Sequence, residues 1–98
     1  MQLDVKPFRA DCTNKEAAVK VLEEASEARE AWQTLDNVRK TTNAFVAVME
    51  VRCLHDLADE LADCITACAN LAERYGLDMQ AALDRVERRN RERGRYDD

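Results

Sequence analysis

Residues 44–75 read AFVAVMEVRCLHDLADELADCITACANLAERY, a stretch with neither Gly nor Pro. On a helical wheel Leu54, Leu57, Leu61, Ile65, Cys68, Ala72 and Tyr75 share one stripe, the pattern of a long amphipathic helix. Gly76 follows as a residue free to take positive φ, and Leu77 as the apolar residue that closes such a C-terminal turn. Asp78 suits the N-cap of a further helix, which carries Met79, Ala82, Leu83 and Val86 before arginines take over near Gly94.

Toward the N-terminus, Thr13-Asn14-Lys15-Glu16 has the spacing of a capping box. It predicts a helix over about 14–35, with Val21, Leu22, Ala25, Ala28, Trp32 and Leu35 gathered on one side. Residues 36–43 (DNVRKTTN) break that pattern and read as a connection that can itself be partly helical. Residues 1–13 contain Pro7 and read as an N-terminal arm, residues 14–93 as the helical body and 94–98 as a tail.

Composition agrees. At 98 residues and 11.2 kDa there is length for one domain only. Hydrophobic residues make up 46% of the chain, but fifteen of them are Ala and only 5% of residues are aromatic. Two Gly, one Pro and 36% charged residues argue against a sandwich, a barrel or a Rossmann unit, all of which need β-branched runs and Gly-rich turns. The expected fold is an all-α helical bundle of two long helices, a shorter C-terminal helix and the arm. Ala-rich helices bury little area each, so homo-oligomerisation is expected to complete the core.

No apolar stretch approaches the roughly 18 residues that span a bilayer, and the N-terminus does not read as a signal peptide. The expected location is cytoplasmic, with no membrane partner. A net charge of −5 argues against nucleic acid as the main partner. Cys12, Cys53, Cys64 and Cys68 lack CxxC spacing and His55 is the only His, so zinc is not expected; Cys64 and Cys68 read as packing residues.

The carboxylates have a spacing of their own. Glu23, Glu24 and Glu27 share a wedge about 100° wide on the first helix, with Glu16, Glu30 and Lys20 in or beside it. Glu60 and Asp63 form an i, i+3 pair on the second helix, on a stripe continued by Asp56, Ala67 and Asn70 and distinct from the leucines. Ordinary solvated faces are one reading, because the first wedge lies roughly opposite its helix's apolar side. Against it, like charges at i, i+1 and i+4 repel, and one Lys there faces five Glu. If the two faces meet, five carboxylates converge and cannot all stay ionised without cations. Oxygen-only ligands select hard ions, so Mg²⁺, or Mn²⁺ in its place, is the expected cofactor, and its chemistry suits hydrolysis of a phosphoanhydride.

Glu23-Glu24-x-x-Glu27 followed by Glu60-x-x-Asp63 resembles the E-E-x-x-E…E-x-x-D signature of the all-α MazG-like nucleoside triphosphate pyrophosphohydrolases. Asp59 to Asp63, Asn70, the turn Tyr75-Gly76-Leu77-Asp78 and the basic run Arg85 to Arg93 extend the likeness over about residues 15–95. The 32 residues between Glu27 and Glu60 exceed the compact spacing of that signature, which longer helices flanking the connection would explain. The resemblance implies hydrolysis of an NTP or dNTP to the monophosphate and pyrophosphate, by attack at the α-phosphorus, in the cleansing of nucleotide pools. It implies metal ligands at Glu23, Glu24, Glu27, Glu60 and Asp63, with Glu24 as the residue acting on the attacking water. It also implies a homodimer or homotetramer with the site partly shared between subunits.

Lys20 could hold a phosphate or simply pair with Glu16 and Glu24. Asn70 could bond a nucleobase or ribose, or a neighbouring helix. The terminal arginines could clamp the triphosphate, complement a helix dipole or touch nucleic acid; Arg85 and Arg89, with Asn90, are the expected substrate contacts. Trp32 and Phe45 read as core or interface. The alternative functions are a specialised enzyme for dUTP, dCTP or phosphoribosyl-ATP, and a helical interaction module with no chemistry.

Overall fold

The computed structural model describes residues 1–41 and 44–96. Thr42 and Asn43 of the expected connection, and Asp97 and Asp98 of the expected tail, lie outside the described residues. Three helices follow in chain order, α1 (Asn14–Arg39), α2 (Val46–Arg74) and α3 (Met79–Glu92), with no strand among the described residues. None is long and apolar enough to cross a membrane.

Local chemistry sets most of the boundaries. The Thr13 hydroxyl accepts from Glu16 N–H at 3.1 Å while the Glu16 carboxylate accepts from Thr13 N–H at 3.1 Å, a complete capping box. The bond from Thr13 N–H, with the Thr13 hydroxyl beside it, holds the Glu16 carboxyl below its ordinary value of 4.5. The sign follows from linkage: a depressed carboxylate contributes stability that is present above its ordinary value and lost as the pH falls through the folded one. Thr13→Ala should therefore destabilise the fold by about 1 kcal/mol at neutral pH. In paired thermal melts the gap between variant and wild type should narrow as the pH drops below 4.5.

At the other end of α2 the Gly76 φ of 60° permits the expected turn: Gly76 N–H donates to Glu73 O and Leu77 N–H to Ala72 O. Asp78 then caps α3 by accepting from Ala81 N–H at 3.0 Å. Helix α1 runs four residues past its expected end at 35, to Arg39, and the Lys40–Asp36 ion pair at 2.7 Å and the Arg39–Glu50 pair at 2.9 Å lie where it gives way to α2. Glu27 on α1 and Glu60 on α2 are thus separated by long helical stretches on either side of the connection.

The packing follows the expected apolar stripes only in part: Val21, Ala28 and Leu35 on α1 and Leu57 and Ala72 on α2 are withdrawn from solvent. Helices α1 and α2 lie against each other, whereas α3 makes no comparable contact and buries none of its side chains. Along α1 the residues withdrawn from solvent are Ala17, Val21, Glu24, Ala28, Ala31 and Leu35; along α2 they include Cys53, Leu57, Glu60, Cys64, Ala67 and Leu71. Both series alternate steps of four and three, the spacing of a coiled-coil seam. Small residues line it and bring the helices close, and each series carries one glutamate. Of the acidic wedge on α1, Glu24 turns into the seam, whereas Glu16, Lys20, Glu23, Glu27 and Glu30 stay exposed. Leu54, Leu61, Ile65 and Tyr75, expected as core, stand exposed in the single chain, as do Leu22 and Trp32 on α1 and Met79, Leu83 and Val86 on α3.

The result is a thin, open molecule of 50 × 43 × 20 Å with a radius of gyration of 16.9 Å, against about 13 Å for a compact chain of this length. Its accessible surface is 8097 Å², where about 5,700 Å² is usual for a folded monomer of this mass.

Candidate metal centre

The α1–α2 seam places Glu24, Glu60 and Asp63 together, one ligand oxygen from each lying within 4.8 Å of the others. The seam's own spacing does this. Glu24 and Glu60 occupy facing seam positions, and Asp63 sits one turn beyond Glu60 on the adjoining edge. Glu24 is only 7% exposed. One of its oxygens lies 3.0 Å from Lys20 Nζ, while Oε2 is buried with no hydrogen-bond partner. Glu60 Oε2 is buried and unpartnered as well. Each such atom costs about 1–3 kcal/mol when nothing satisfies it, and the three residues could hold a cation.

The electrostatics carry the same message. Repulsion by Glu24, with a hydrogen bond between the two carboxyls, pushes the Glu27 carboxyl above its ordinary value; desolvation and Glu60 add to it. The hydrogen bond and charge of Glu24 hold the Lys20 ammonium above its own ordinary value. One lysine offsets part of a cluster that holds several carboxylates.

Three of the five expected metal ligands thus converge. Glu27 couples to them electrostatically, and Glu23, with its side chain mostly in solvent, lies 3.9 Å from Lys20 and lines the adjoining groove. That groove, of about 620 Å³, is walled by Lys20, Glu23, Glu24 and Asp63 and continues past Thr66 and Ala67 to Asn70. Asn70 does line it, and its Oδ1 accepts from Phe8 N–H at 2.8 Å. Arg85 and Arg89 border a separate groove on α3 with Ala82, Val86, Arg88 and Glu92, and Asn90 accepts from Arg95 at 2.9 Å. Within one chain none of these three lines the acidic groove.

Two features of the groove had no counterpart in the sequence reading. The arm lies along it, contributing Phe8, Ala10 and Cys12 to its wall. Arg74 anchors the arm, donating to Ala10 O at 2.8 Å, to Cys12 Sγ at 3.1 Å and to Asn14 Oδ1 at 3.0 Å. These contacts join residues some sixty positions apart, and no periodic pattern encodes them.

In comparisons with protein-family models, curated proteins and solved structures, no match to this chain is found. The functional reading rests on the site itself and on the resemblance of its acidic signature.

Proposed function

We propose that this chain is a Mg²⁺-dependent nucleoside triphosphate pyrophosphohydrolase of the MazG-like kind, with Mn²⁺ able to substitute, acting as a homodimer or homotetramer on cytoplasmic nucleotides to cleanse the pool. The observation that carries the reading is Glu24, a carboxylate almost wholly withdrawn from solvent, with one oxygen lacking a hydrogen-bond partner, in a cluster with the carboxylates of Glu60 and Asp63. A helical interaction module with solvated acidic faces would have no reason to bury it.

The residues fit the ion. Oxygens around octahedral Mg²⁺, at about 2.0–2.1 Å from it, lie about 3–4 Å apart, and the triad needs little closure to reach that. An all-oxygen donor set favours a hard cation over zinc or copper. When bound, Mg²⁺ would neutralise phosphate charge and make the attacking water more acidic. Glu24, Glu60 and Asp63 would hold it, with Glu27 and Glu23 beside them. Lys20 lies at the mouth of the cluster, where it can meet a phosphate as a point charge. The water oxygen bonds to the α-phosphorus, the bond to the pyrophosphate oxygen breaks, and Glu24 takes the water's proton. Arg85, Arg89 and Asn90 would contribute to a site only from a second copy.

The oligomer has its own support. One chain exposes roughly 2,400 Å² more than a folded monomer of its mass, and the excess includes the leucine stripe of α2 and the apolar side of α3.

The purified chain should release pyrophosphate and the monophosphate from a panel of NTPs and dNTPs when Mg²⁺ is added, and stop on addition of EDTA. Orthophosphate with the diphosphate as products, or no turnover of any nucleotide, would overturn the reading.

A further inference from the structure

The groove beside the metal cluster has two chemically different parts. Glu23, Glu24, Asp63 and Lys20 supply charge at one part, and Phe8, Ala10, Val19 and Ala67 supply apolar wall at the other. At about 620 Å³ it has room for a nucleotide. Asn70 stands seven residues beyond Asp63 on α2, about 10 Å along the helix, and holds the Phe8 backbone through Oδ1. The cluster-to-arm distance therefore suits a nucleoside carrying its α-phosphate.

We propose that the N-terminal arm is the base-recognition wall of this site, with the Phe8 ring as the platform on which the substrate's nucleobase stacks; the proposal rests on the pyrophosphohydrolase reading above. Phe8 is 62% exposed although its backbone is pinned. Pinning comes from both sides: Asn70 accepts from the Phe8 N–H, and two residues on Arg74 donates to Ala10 O. The ring is thus held over the groove on a tethered backbone, which reduces the entropy lost when a base stacks against it. Because Asn70 Oδ1 is committed to the arm, its Nδ2 is the remaining donor beside the base, and Asn70 acts chiefly as the positioning residue for Phe8. Stacking tolerates any base, so the arm would select for a base-bearing triphosphate more than for one particular base.

The test compares a dNTP with deoxyribose 5′-triphosphate, which lacks a base, on full-length wild type, Phe8→Ala and Phe8→Trp. Phe8→Ala should raise KM for the dNTP by about 5- to 100-fold, the effect of losing one base–aromatic stack. Its kcat, and its KM for the base-free triphosphate, should move far less, and Phe8→Trp should restore the dNTP's KM. Independently of turnover, the fluorescence of Phe8→Trp, corrected for Trp32 with the wild type, should be quenched by a non-hydrolysable dNTP and not by its base-free counterpart. Equal loss on both substrates, or no change on either, would overturn the proposal while leaving the hydrolase reading intact. A wild type that releases no pyrophosphate would defeat both.

Discussion

Glu24→Gln is expected to remove Mg²⁺-dependent pyrophosphate release almost entirely while leaving a folded protein. The amide keeps the shape of the carboxylate and can still accept from Lys20, so the seam should close as before. Lost are the charge and one of three oxygens that meet within 4.8 Å. A metal held in such a site supplies several kcal/mol of transition-state stabilisation, and losing about 4 kcal/mol would lower kcat/KM by about a thousandfold. A second readout needs no substrate. Mg²⁺ at about a hundred times its Kd stabilises the wild type by about 2.7 kcal/mol, which raises Tm by about 10 °C or more in a domain of this size. Glu24→Gln should lose that shift, and so should Asp63→Asn. In EDTA, Glu24→Gln should melt above wild type, because a buried repulsive carboxylate has become neutral. A variant that kept both turnover and the Mg²⁺ shift would place the metal elsewhere.

The second large effect concerns the leucine stripe. Leu61→Glu with Ile65→Glu should convert the proposed homo-oligomer into single chains of 11.2 kDa, read by size-exclusion chromatography with light scattering. Leu61 and Ile65 stand 48% and 39% exposed on the side of α2 that α1 leaves open. Glu retains helix propensity, so α2 itself should persist, while two charges in a desolvated interface would oppose association strongly. A stable interface buries about 1,200–2,000 Å² in total, and the chain's excess surface can supply that. The separated chains should also melt at lower temperature, since half of the α1–α2 seam positions are Ala or Cys and no large side chain is fully buried among the described residues. Wild type eluting as a single chain at micromolar concentration would remove the basis of this prediction.

Helix type and most helix ends were legible in the residues. Thr13 with Glu16, Gly76 with Leu77, and Asp78 each satisfy backbone groups within four residues of themselves, and such local bonds form with little help from the rest of the chain. The acidic spacing was legible too, because i, i+3 and i, i+4 neighbours share a helix face wherever the helix sits. The end of α1 was less so: residues 36–39 lack an apolar repeat, and the Arg39–Glu50 pair that accompanies the extension depends on α2 lying nearby.

Which face of α2 meets α1 was a matter for the tertiary structure. The leucine stripe is the more apolar, yet the seam formed on the stripe of Cys53, Leu57, Glu60, Cys64, Ala67 and Leu71, whose small side chains allow close approach. That choice turned Glu24 from a surface residue into a buried one and brought it beside Glu60 and Asp63. The arm's path over the groove was likewise decided only in three dimensions, since the Arg74 and Asn70 bonds that hold it join the two ends of the chain. The sequence by itself determined what each helix is and where its charges lie, through interactions within one or two turns. Only tertiary packing determined which charges share a cavity, because burial is set by the neighbouring helix and not by the residues beside it in the chain.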